Sequence, residues 1–393
     1  MLVQEKTILG FNEERLDAMG AGLTAREIAQ QGEVWLQPDV IANHRAALSA
    51  FLAPLLANPA LRIVLTGAGT SAFIGECLVP AMLAQGRRAE AIATTDLVSG
   101  PGLFFQPQVP TLLVSFARSG SSPESLAAVA LADQLLPDVH HLIITCNAEG
   151  ALYRAARQCR SAHAVLLPDA THDRAFAMTT SFTSMLLTAA LAFDLFPASG
   201  VARLSDAALA LPALALPTLR DLVARRFHRV VYLGSNELRG LAREAALKLL
   251  ELTDGQVVAL FDSPLGFRHG PKTIVDGETL VVVMLSNDAH ARRYDLDLLR
   301  ELRRDGHAGR VLALSGQPEP ELGSDCIGID GVGTACDLEL ALPYIVFCQC
   351  FALLQSLALG LRPDTPSVSG TVSRVVRGVT IHPYEGKCDV SRG

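Results

Sequence analysis

From Arg62 onward the chain alternates short apolar runs that close on glycine or serine with longer amphipathic stretches, which is how a parallel sheet with covering helices reads. In the first half the runs are Arg62–Thr66, Ala89–Thr94, Thr111–Ser115, His141–Thr145 and Ser161–Leu167, followed by a helix over Ser181–Phe196. In the second half they are Arg229–Leu233, Gln256–Leu260, Thr279–Val283, Arg310–Leu314 and Cys326–Ile329, with a helix over Leu238–Leu252. Upstream, Thr24–Leu56 reads as an N-terminal helical arm, opened by a capping box in which Thr24 is followed three residues later by Glu27.

The halves repeat one another. Arg62 falls on Arg229, Thr111 on Thr279 and His141 on Arg310, an offset of roughly 168 residues that signals a duplicated domain. The expected fold is α/β: two tandem domains, each a doubly wound parallel sheet flanked by helices. The boundaries are an arm over 1–45, a first domain over 46–212, a second over 213–380 and a tail over 381–393. Leu211–Leu219, with Pro212 and Pro217, is the expected connection.

Composition narrows the function classes. Half of the 393 residues are hydrophobic and 19% are charged, ample apolar material for two cores. The formal net charge is −7 with basic residues scattered, which points to a small-molecule partner and away from nucleic acid. The start of the chain lacks the order of a signal peptide, and Leu338–Leu361 is interrupted by Glu339, Pro343, Gln349 and Gln355, so neither secretion nor a membrane span is expected. Eight cysteines without CxxC or metal-ligand spacing suit reduced core residues in a cytoplasmic protein.

Two loops carry candidate binding chemistry. Gly67-Ala68-Gly69-Thr70-Ser71 follows the first run, where glycines allow a tight turn and the next helix offers free N–H groups to an anion. After the third run comes Ala117-Arg118-Ser119-Gly120-Ser121-Ser122-Pro123, which gathers hydroxyls, amides and a guanidinium at a second helix N-terminus. Ligands of open α/β sheets bind beyond the carboxyl ends of the strands, so Gly69, Thr70, Ser71, Arg118, Ser119, Gly120 and Ser122 form an expected phosphate cradle. A plain turn, a dinucleotide reading of GxGxxA with Asp96 as a late ribose partner, and a capping role for Ser122 before Pro123 stand beside that reading.

The helix over Leu238–Leu252 carries Glu244, Lys248 and Glu251 on one face. Such a row is usually solvated, but alanines and leucines fill the rest of the helix, so the row is expected to face a cleft where Glu251 can act as a general base. Downstream, Arg268-His269-Gly270-Pro271 sets a histidine in a glycine and proline loop; an imidazole exchanges protons near neutral pH and can assist sugar-ring opening. His172 stays open because it precedes a stretch rich in threonine and serine, and the other histidines read as surface or packing residues.

Together these segments resemble the sugar isomerase (SIS) domain family, in its two-domain form, over nearly all of residues 46–380. The resemblance rests on Gly69-Thr70-Ser71, Arg118-Ser119-Gly120-Ser121-Ser122, the run from Glu244 to Glu251, and Arg268-His269-Gly270-Pro271. It implies that the glutamate matching Glu251 shuttles a proton between C1 and C2 of a phosphorylated sugar, with Lys248 organising charge and Glu244 supporting. It also implies that the histidine matching His269 assists ring opening from the neighbouring subunit of a homo-oligomer, with no metal or redox cofactor. The likeness is greatest to members that turn galactosamine 6-phosphate into tagatose 6-phosphate and ammonium; isomerisation without deamination and a non-catalytic sugar-phosphate sensor are the alternatives. Ala117 stands where a phosphate serine is frequent, and Arg377 where an amide-transferring member carries an imine-forming lysine, so amide transfer is not expected.

Overall fold

The computed structural model describes residues 7–374, 376 and 378–386, so Arg377 and Cys388 lie outside the described residues. The strands are β1 (Arg62–Thr66), β2 (Arg88–Ala91), β3 (Thr111–Ala117), β4 (Val139–Thr145) and β5 (Ala162–Leu166), then β6 (Arg229–Gly234), β7 (Val258–Asp262), β8 (Thr279–Met284), β9 (Arg310–Ser315) and β10 (Cys326–Gly328). They form two five-stranded sheets of order β2-β1-β3-β4-β5 and β10-β9-β8-β6-β7. All pairings are parallel, and the order is the same in both halves, as the duplication requires. Each sheet therefore reverses direction between its first and third strands.

Central strands buried on both faces explain the near-continuous apolar runs: β1, β3 and β8 are buried at every position. Val64, Leu113, Ala128, Leu131 and Leu135 anchor one core; Val231, Val281, Val283, Leu298, Leu299 and Leu302 anchor the other. Burying each such leucine or valine contributes about 1.5–3 kcal/mol before entropy is counted. Two of the four edge strands, β2 and β7, are displaced from expectation. β2 stops at Ala91 because Thr94 starts the helix Thr94–Ser99, and β7 runs on to Asp262.

The chain divides into two compact units. One gathers the residues up to Leu36, Asp173–Thr180 and Phe196–Arg374; the other gathers Gln37–His172, Ser181–Leu195 and the chain after Arg374. The helical stretch expected over Thr24–Leu56 is broken into Gly22–Ala29, Gln31–Trp35 and Arg45–Leu56, with Pro38 opening a short turn between the last two. The capping box does not form. Thr24 gives both its N–H and its hydroxyl to Asp364, and Glu27 accepts the amides of Arg174 and Ala175. Both carboxylate bonds are tertiary, and local sequence does not reveal them.

Leu211–Leu219 is likewise no loop: it lies inside the helix Val201–Ala224, whose buried positions include Leu204, Ala208, Leu211, Ala215, Leu219 and Leu222. That apolar stripe at helical spacing outweighs the one N–H lost at each of Pro212 and Pro217. Asp337–Ala358 and Ala198–Ala224 are long and apolar enough to cross a membrane; the first is almost wholly buried and serves as a core helix. The seven described cysteines are free thiols, with Cys77, Cys146, Cys348 and Cys350 buried.

Candidate active site

The loops expected to cradle a phosphate follow β1 and β3, at the switch point of the first sheet. β1 and β3 are neighbours, with Thr66 paired to Ser115, so the loops that follow them lie side by side at the carboxyl edge. Gly67 is forced: a Cβ there would meet the backbone oxygen of Ser71 at 2.6 Å. Gly69, at φ 55° and ψ −129°, turns the chain into the helix Thr70–Ala84. Thr70 and Ser71 occupy the first turn of that helix and are buried.

The second loop is braced from beneath. Thr145 donates to the Ala117 carbonyl at 2.7 Å, Asn147 donates through Nδ2 to the Ser119 carbonyl at 2.8 Å, and Gly120 bends at φ 63° against Gly150. Arg118 is only 7% exposed, so its charge is held at the loop and not spread into solvent. Ser122 is the N-cap of the helix Pro123–Leu135, accepting the Ser125 amide and donating to the Ser125 hydroxyl at 2.7 Å. Asn147 went unnoticed in the sequence, although its place directly after β4 is the signal that finds it.

The acid–base row lies in the unit that holds the second sheet. Glu237–Leu252 packs through Leu238, Leu241, Ala242, Ala245, Leu249 and Leu252, all completely buried, against the helix Asp337–Ala358 and the sheet. The charged face is not solvated. Glu244 and Lys248 have 0% side-chain exposure and Glu251 has 25%. Lys248 Nζ donates to Glu251 Oε2 at 2.5 Å and lies 3.5 Å from Glu244 Oε1. A buried cation between two carboxylates balances the inner one and holds the outer, partly exposed one in place.

His269 is delivered by a different device. Ser263 caps the short helix Pro264–Phe267 by accepting the Gly266 amide at 3.0 Å, Phe267 anchors in the core, and Arg268 pairs with Glu301 at 3.0 Å. The chain then turns at Gly270, φ 118°, which leaves His269 exposed. Among the described residues its ring hydrogen bonds to none of the three charges on the helix. Elsewhere in this unit, Asp173 accepts the amides of Thr179 and Thr180 at the start of the helix Thr180–Ala192. Burial, with Asp173 adding to it, pushes the Glu27 carboxyl up to about 8.

The SIS domain family matches residues 55–195. The D-galactosamine-6-phosphate deaminase AgaS of Escherichia coli is 47% identical over 92% of this chain and 96% of its own length. The enzyme of that name from Shewanella sp. (strain ANA-3) is 44% identical over 97% of each. The crystal structure of tagatose-6-phosphate ketose/aldose isomerase from Escherichia coli superposes with a TM-score of 0.84 at 44% identity, covering 92% of this chain and 97% of that one.

Proposed function

Because the chain belongs to the SIS domain family, and more than nine-tenths of it aligns with the AgaS deaminases, we propose that it converts galactosamine 6-phosphate to tagatose 6-phosphate and ammonium. The observation that carries the chemistry is the Glu244–Lys248–Glu251 row, in which only Glu251 is open to a substrate.

The cradle of Gly69, Thr70, Ser71, Arg118, Ser119, Gly120 and Ser122 holds the phosphate dianion through amides, hydroxyls and the guanidinium. His269, supplied by a second copy of the chain, passes a proton as the pyranose opens; its exposed ring suits that part. Glu251 takes the C2 proton of the free aldehyde, leaving an enolamine stabilised near the Lys248 ammonium. Returning the proton to C1 gives a 2-imino sugar, and water adds to C2 to release ammonia and the ketose. Glu244 keeps Lys248 charged in its dry surroundings.

A second reading, proton shift without loss of nitrogen, is favoured by the name of the 44%-identical Escherichia coli isomerase. One assay separates them: ammonium release from galactosamine 6-phosphate and from glucosamine 6-phosphate, run beside isomerisation of tagatose 6-phosphate. Ammonium from the galacto sugar is expected. Glu251→Gln should abolish turnover and leave sugar-phosphate binding within about threefold, because only the proton acceptor is lost. Wild-type turnover in that variant would refute the shuttle.

A further inference from the structure

The duplication supplies an internal control for the cradle. Gly234, the last residue of β6, is as crowded by Leu238 as Gly67 is by Ser71 in the loop after β1. Asn236, at φ 51° and ψ −118°, repeats the bend of Gly69. The offset that places Thr111 on Thr279 also places Arg118 on Ser286. The second half therefore keeps the loop geometry of the cradle with serine in place of its arginine, and the Arg292 guanidinium donates to the Ser286 carbonyl at 2.8 Å.

Its donors are already taken. Asp295, on the helix Ala289–Asp305 and 0% exposed, accepts the Ser235 hydroxyl at 2.6 Å and the Ser286 amide at 2.9 Å. Asp337 accepts the Ser286 hydroxyl at 2.5 Å and the Asn287 amide at 2.7 Å. Carboxylates of the protein itself thus take these donors, where the proposed phosphate would sit in the first half.

We infer that Asp295 is a positioning residue for Glu251, an inference that rests on the proton-shuttle reading above. Ser235 stands immediately before the N-cap of Glu237–Leu252, the helix that carries Glu244, Lys248 and Glu251. Asp295 ties that end, through one carboxylate, to the loop after β8. The helix has 16 residues and is a stiff rod of about 24 Å, so slip or tilt at its anchored end is passed along to the base. Displacement of a reacting group by about 1 Å costs on the order of 100-fold in rate.

The test compares Asp295→Ala with Asp295→Asn. Alanine removes both bonds. Asparagine keeps both once the Ser235 hydroxyl reverses, because Oδ1 accepts the Ser286 amide and Nδ2 donates to Ser235. For ammonium release, Asp295→Ala should lose roughly 10- to 100-fold in kcat with KM within about threefold, and the isotope effect from C2-deuterated substrate should rise. Asp295→Asn should stay within about threefold of wild type. Ser235→Ala, which removes one bond, should fall between them and covers the case in which Asp295→Ala fails to fold. Amide exchange should quicken in the first turns of Glu237–Leu252 in Asp295→Ala and be unchanged in Thr70–Ala84. Wild-type kcat and exchange in the alanine variant, or an asparagine variant as slow as alanine, would overturn the inference. A wild-type chain that neither deaminates nor isomerises would sink the proposed function instead, and amide exchange would still decide whether Asp295 holds the helix.

Discussion

Lys248→Met replaces the ammonium with an unbranched apolar chain of similar length and leaves Glu244, with no side-chain exposure, without its counter-charge. At 3.5 Å and an effective dielectric near 20, the attraction removed is on the order of 5 kcal/mol, offset in the wild type by the cost of desolvating both ions. Breaking one side of a buried pair typically costs about 3–5 kcal/mol, whereas removing both charges is close to neutral. The single variant should therefore lose about 3–5 kcal/mol of unfolding free energy, and Lys248→Met combined with Glu244→Gln should recover to within about 1–2 kcal/mol of wild type. Glu251 adds little to the penalty because a quarter of its side chain is exposed and water can solvate it. Urea unfolding at pH 7 with unchanged m-values is the assay. A single variant as stable as wild type, or a double variant no better than the single, would show that charge balance does not hold the row together.

Two further outcomes follow from the geometry. Glu27 has a folded-state pKa of about 8, above its unfolded value of 4.5, so the folded state binds the extra proton between those values and stability falls as pH rises through that window; Glu27→Gln, which can still accept the amides of Arg174 and Ala175, should flatten the dependence and raise the melting temperature at pH 8.5. A wild-type profile already flat from pH 5 to 8 would refute this. Gly67→Ala forces a Cβ against the carbonyl of Ser71, shifting the first turn of Thr70–Ala84 at a cost of about 1–3 kcal/mol; calorimetric titration should show weakened sugar-phosphate binding, and unchanged affinity would exclude that turn from the cradle.

The sheets were legible because strands buried on both faces are apolar at nearly every position, as in Thr111–Ala117 and Thr279–Met284. Edge strands were less so, since Arg88–Ala91 is half solvated and carries a weaker pattern. Periodicity placed Glu244, Lys248 and Glu251 on one face of a helix but could not say what covers that face. Nor could it show that the opposite, apolar face packs on Asp337–Ala358, some ninety residues further on. Carboxylates joined to distant amides and hydroxyls were invisible for the same reason: Asp364 accepts the Thr24 amide across 340 positions and Asp295 accepts the Ser235 hydroxyl across 60. A capping box is a local signal, and here tertiary partners claimed both of its members, an acceptor for Thr24 and two amide donors for Glu27.

The division of the chain also bears on its synthesis. Residues up to Leu36 belong with Phe196–Arg374, while nearly everything between them builds the other unit. A ribosome adding about 5–20 residues per second needs on the order of 10 seconds or more to pass from Leu36 to Phe196. During that interval the emerging N-terminal helices have no completed surface to dock on, and Leu16, Ile28 and Trp35, buried in the finished protein, stay open to water or to a chaperone. A cut between the tandem repeats would for the same reason give two fragments, each lacking part of its own unit, instead of two autonomous domains.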